Sequence, residues 1–206
     1  MKENVKDFLY YRITQEIPKK QIIDMDILSI LLLAVGCVIE SHFLIINIVM
    51  LTVTACNIIL TFRRTTVKGE KIFWIYGIWS IFLSIFFAML GTKIAFSVLE
   101  QEHYEKFAIC IVLSYLLIAV LYVGIIIYLI KRNSYQKLKK TNSRLVFLYL
   151  GAAGILLAKI MFSGMNYKNI LQMASIVCYF LSMLAMLGCF NLIKFFGIKY
   201  GFHRRK

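Results

Sequence analysis

Apolar runs of bilayer-crossing length recur six times in this chain, and that repetition leaves little alternative to a bundle of membrane helices. A helix rising 1.5 Å per residue needs roughly 20 apolar residues to cross about 30 Å of hydrocarbon. The runs 22–39, 43–62, 73–91, 107–130, 145–163 and 170–196 reach or approach that length. Of 206 residues, 61% are hydrophobic and 17% charged, with one proline, against roughly 25% charged in a soluble domain. Disordered, collagen-like and disulfide-scaffold classes are excluded. The longest stretch outside the runs is residues 1–21, too short for a sizeable water-soluble catalytic domain.

The net charge of +14 acquires meaning only from its distribution. Residues 1–21, 63–72, 131–144 and the tail from Lys194 hold 20 of the 24 lysines and arginines. Lys93, Lys106, Lys159 and Lys168 are the remainder, and Glu40, Glu100, Glu102 and Glu105 cancel them. The whole net positive charge therefore falls on one side of the membrane. By the positive-inside rule that side is cytoplasmic. An even number of spans with both termini inside fits every connector. The basic charge is read as topology and as attraction to anionic inner-leaflet headgroups of the plasma membrane, with no nucleic-acid role.

The expected architecture is thus all-α, a polytopic transmembrane bundle of about six spans over 22–196. It is preceded by a cytoplasmic amphipathic segment (1–21) and followed by a basic tail (197–206). The first span is the shortest, because Asp24 and Asp26 interrupt it. It either crosses with these aspartates at headgroup level, the expected reading, or residues 22–62 form a re-entrant hairpin closed at Glu40-Ser41-His42. Val5, Phe8, Leu9, Ile13 and Ile17 recur at helical spacing until Pro18 stops the pattern. This segment lies on the inner leaflet or packs as a cytoplasmic helix on loops or a partner. No cleavable targeting signal is expected. The 92–106 connector is expected to continue the third span as an interfacial turn.

Residues suited to chemistry are sparse. Cys37, Cys56, Cys110, Cys178 and Cys189 all lie in apolar runs, and no two are spaced C-x-x-C, which argues against a thiol oxidoreductase or structural zinc. No histidine pair lies at membrane depth to hold haem or metal, and no serine or cysteine there has a histidine to activate it. Phosphate-binding glycine loops are absent. The expectation is a non-enzymatic protein without cofactor or metal.

Polar and small residues on the spans carry the remaining information. Asn47, Thr54, Asn57 and Thr61 share one face of the second span and must point into the bundle, a partner or water. Lys159 lies close enough to the outer boundary to snorkel, or else pairs with an acid such as Glu40 or meets a bound species. Asn47, Thr54, Asn57 and Lys159 are therefore the candidate pathway or partner-contact residues. In the last span Ser175, Cys178, Ser182, Ala185 and Cys189 form a narrow seam that permits close helix approach. Gly77, Ser80, Ser84 and Gly91 form a second seam on the third span. Tyr115, Tyr122 and Tyr128, with Trp74, Tyr76 and Trp79, include interface-belt residues.

In outline, an amphipathic N-terminus before six spans with both ends inside is similar to small permease subunits of peptide-exporting ABC transporters. The long re-entrant segment before the last span is missing, and no motif residues correspond. That outline implies a partner membrane or ATPase subunit. The functional expectation is an integral membrane component of a transport or pore-forming assembly, as a homo-oligomer or with partners. The alternative is a membrane interaction subunit, such as an immunity or regulatory protein, that binds a partner without conducting.

Overall fold

A computed structural model describes residues 2–10, 16–38, 44–62, 66–99, 103–132 and 166–201. These residues are mostly helical: α1 (Lys2–Tyr10), α2 (Lys19–Val38), α3 (Leu44–Phe62), α4 (Lys71–Phe96), α5 (Tyr104–Arg132), α6 (Tyr167–Leu187) and α7 (Phe190–Phe196). A π-helical turn, Gly197–Gly201, continues α7. Five segments are long and apolar enough to cross a membrane: α2, α3, α4, α5 and the continuous stretch from α6 to Tyr200. The 145–163 run and Lys159 lie outside the described residues.

The N-terminal amphipathic pattern divides in two. Leu9 of α1 is buried with Phe73 and Ile198, packed by Val5, Tyr10 and Phe195. Ile17, read above as part of the same helix, is instead extended. Glu16–Ile17 (β1) pairs antiparallel with Val67–Lys68 (β2), and Lys68 Nζ lies 2.7 Å from Glu16 Oε1. Pro18 lies between this pair and α2. Its carbonyl accepts from Gln21 and Ile22 and so opens α2. The turn from β2 into α4 needs a left-handed residue, and Gly69, at φ +66°, supplies it. Ile17 and Val67 bury against Ile22, Met25, Ile72 and Ile75. The N-terminal segment is thereby fixed to the loop between α3 and α4 and to the start of α4. We refer to this as the α1 end.

α4 is the central helix. Its Phe82, Phe86, Leu90 and Ile94 pack with Ile46 and Met50 of α3 and Cys178 of α6. Its small residues face α6 and α7 in antiparallel order. A Cβ on Gly91 would lie 3.2 Å from Cys178 Cβ, and one on Gly77 2.6 Å from Leu192 Cγ. Ser80 meets Gly188 at a separation that leaves no room for a side chain. Backbones can approach this closely only where side chains are small. At the opposite end of α4, Ser97 and Val98 close the helix in a tight turn. Phe96 then stacks on Tyr104 (centroids 4.4 Å apart) as the chain enters α5.

Candidate functional site

The polar residues of α2, α3 and α4 gather in two layers, one toward each end of the wedge these helices form. Toward the α1 end, Asp26 and Ser29 are one helical turn apart on α2, and Asn57 and Thr61 one turn apart on α3. The pairs therefore meet as rungs. Thr61 Oγ1 is 2.5 Å from Asp26 Oδ1, and Asn57 Nδ2 donates to Ser29 Oγ at 3.0 Å. Ser29 in turn donates to the Met25 carbonyl at 2.9 Å. All four residues are buried, Ser29 and Thr61 at 0% exposure. Asn57 Oδ1 has no partner among the described residues. Among the described residues no cation pairs with Asp26.

At the far end, Lys93 sits in the last turn of α4 at 1% exposure. Its ammonium donates to Asn47 Oδ1 and to the Gly36 carbonyl, both at 2.8 Å. Gly36 lies among the last four residues of α2, whose carbonyls lack helical partners and carry the negative end of the helix dipole. Lys93 thus caps α2 from a neighbouring helix and ties it to the first turn of α3. Gly36 lets α2 pack closely on α3 and α4, because a Cβ there would overlap the Met50 terminal methyl and lie 3.4 Å from Phe86 Cζ. No acid among the described residues neutralises Lys93.

Between the layers the wedge is apolar, filled by Leu32, Leu33, Met50, Val53, Phe82 and Phe86. Thr54 is buried there and donates to the Met50 carbonyl of its own helix at 2.8 Å. Asn47, Thr54, Asn57 and Thr61 therefore all turn into this chain's own interior. The start of the 92–106 connector continues the third span, since α4 runs to Phe96 and carries Lys93 inside the helix before the chain turns at Ser97. Lys93 was not singled out by sequence, although its spacing of 3, 7 and 11 residues from Leu90, Phe86 and Phe82 places it on their buried face. Asp26 lies on the buried face of α2, at helical spacing from Ile22, Met25 and Ser29.

Ser175, Cys178 and Ser182 are buried against α4, whereas Ala185 and Cys189 are half-buried. Ser175 donates to the Gly91 carbonyl at 2.8 Å and Ser182 to the Ser84 carbonyl at 2.6 Å. Tyr115, read with the belt residues, instead hydrogen-bonds Ser182. Tyr122 donates to the Met183 carbonyl at 2.7 Å, so two tyrosines of α5 fasten it to α6. Tyr128 lies near the end of α5, where Arg132 stacks over its ring at 4.9 Å.

Among the described residues no group of three or more His, Cys, Asp or Glu is placed to hold a metal ion. Comparison with protein-family models, with curated proteins and with solved structures finds no match to the chain.

Proposed function

We propose that this chain is a non-enzymatic membrane subunit of a transport or pore-forming assembly, and that Asp26 and Lys93 are its functional charges. The observation that carries this reading is the burial of both groups in membrane-length helices with neutral partners alone among the described residues. An ionisable side chain is costly in hydrocarbon, and where one is found it commonly meets a translocated ion or substrate. On one face of α3, Asn47 accepts from Lys93 and Thr61 bonds Asp26, with Thr54 and Asn57 between them. Lys159 belongs to the same proposal on sequence grounds.

In this reading the chain crosses the plasma membrane six times, with both termini cytoplasmic. Support comes from helix direction. α6 runs antiparallel to α4, so it starts at the far end, while α5 leaves the far end through the Phe96–Tyr104 stack and reaches α1. The chain between Arg132 and Asn166 then joins opposite ends of the bundle, which the 145–163 run is long enough to do.

The test is flux through liposomes carrying the purified assembly, read with proton- and potassium-sensitive dyes. Asp26→Asn and Lys93→Met should each lower flux at least tenfold while the assembly still elutes at its native size. Unchanged flux in both variants, or no flux above protein-free liposomes, overturns the proposal. The alternative, an interaction subunit that does not conduct, is favoured by one observation. α5 exposes Ile109, Val112, Leu113, Leu116, Leu117 and Val120, each by more than half, a broad apolar face for lipid or a partner helix. Retained partner binding without flux would select it.

A further inference from the structure

At the α1 end, the first turn of α4 and the end of α7 with the π-helical turn that continues it frame an open cleft of about 410 Å³. We propose that this cleft, framed by Glu70, Lys71, Trp74, Phe195, Lys199 and Tyr200, binds the phosphodiester headgroup of a glycerophospholipid. The charges fit that ligand. Neither lysine is in an ion pair among the described residues, and one acid shares the cleft, so it presents a single net positive charge. A phosphodiester carries one negative charge. Lys199 is held over the cleft by its neighbours, its ammonium lying 5.1 Å from the Tyr200 ring centroid and 5.6 Å from that of Phe195.

The walls fit a lipid better than a free anion. Trp74 packs on Phe195 with ring centroids 5.1 Å apart, and Phe196 and Tyr200 stack at 6.2 Å. Phe196 and Tyr200 remain exposed on the outer surface of the bundle. Aromatic rings beside ammonium groups at a helix end match the depth at which glycerol and the first acyl carbons meet a phosphate. A soluble phosphate would leave those exposed rings unused. The positive-inside assignment places this end at the inner leaflet, where anionic lipid is concentrated. The indole N–H of Trp74 has no acceptor among the described residues, and Trp74 lines the cleft, so its emission reports on the cleft.

The chain has two tryptophans, and Trp79→Phe leaves Trp74 as the reporter. The full chain in maltoside micelles would be titrated separately with phosphatidylglycerol, diacylglycerol, glycerophosphate and inorganic phosphate, with native mass spectrometry counting bound lipid. Phosphatidylglycerol should shift Trp74 emission saturably and persist as a one-to-one adduct, while the other three leave it unchanged. Lys71→Gln with Lys199→Gln should raise the apparent Kd at least tenfold. Lys131→Gln, an exposed lysine outside the cleft lining, should not. An equal response to diacylglycerol would mean an apolar groove only. An equal response to either soluble phosphate would mean a site for a water-borne anion. Equal weakening by Lys131→Gln would mean diffuse surface attraction. Each of these three results overturns the proposal.

Discussion

Gly77 and Gly124 are both helical glycines, yet a methyl group at the two positions meets opposite surroundings. At Gly77 it would sit 2.6 and 2.7 Å from Leu192 side-chain carbons and 3.0 Å from the Leu192 backbone nitrogen. Backbone cannot yield as a flexible side-chain tip can, so α4 and α7 must separate. At Gly124 nothing among the described residues lies within 4 Å, and alanine is the better helix former by roughly 1 kcal/mol. Gly77→Ala should therefore destabilise the protein by about 1–3 kcal/mol, while Gly124→Ala is neutral or stabilising. Thermal unfolding of both variants in one detergent checks the pair; equal melting temperatures would contradict the close approach of α4 and α7. These seams were legible in the sequence, because small residues at steps of three and four need no knowledge of the partner helix to be seen. Lys93 was not, because a lysine near the end of an apolar run reads as an interfacial cation. Only the glycine at position 36 and the asparagine at position 47, brought close by the fold, turn it inward.

At the scale of elements, α2 and α3 are joined by hydrogen-bonded rungs as well as by apolar packing. Cross-helix hydrogen bonds in membranes are worth about 0.6–2 kcal/mol, because the unfolded chain in lipid also finds partners. A double-mutant cycle of Ser29→Ala and Asn57→Leu should return a coupling of that size. Additive effects would mean that the Asn57–Ser29 contact contributes no stability. α5 is likewise fastened to α6 by hydrogen bonds, from Tyr115 and Tyr122. Tyr122→Phe removes the donor to the Met183 carbonyl and should cost about 0.5–1.5 kcal/mol, with protease sensitivity at the ends of α5 rising in step. Helix positions were readable because each is a single long apolar run. The β1–β2 pair was not. Two-residue strands are too short for an alternating pattern to register, and Ile17 falls at a spacing that also suits a helix. The tyrosine hydrogen bonds were not legible for a related reason: composition shows that a tyrosine is present in a span, while only the neighbouring helix decides what its hydroxyl meets.

For the whole molecule, the decisive quantity is the side on which each connector lies. The proposed six-span topology makes a pattern of accessibilities that no simpler arrangement shares. In a background lacking the five cysteines, Lys68→Cys and Lys199→Cys occupy the α1 end, where β2 and the turn after α7 lie. His103→Cys and Asn166→Cys occupy the far end, at the entries to α5 and α6. Lys137→Cys samples the basic 131–144 segment. A membrane-impermeant thiol reagent added to intact cells should label positions 103 and 166 alone, and labelling of 68, 137 and 199 should require permeabilisation. The expectation rests on 20 of 24 basic residues falling in the segments assigned inside, since translocating lysine and arginine is what the positive-inside bias opposes. The two ways of failing are distinct. Inverted orientation exchanges the two groups as sets and leaves the span count intact. A chain that does not recross between Arg132 and Asn166 would instead place 137 and 166 on the same side. That result would also contradict the antiparallel packing of α6 on α4, because α6 could then no longer begin beside Gly91 and end beside Gly77.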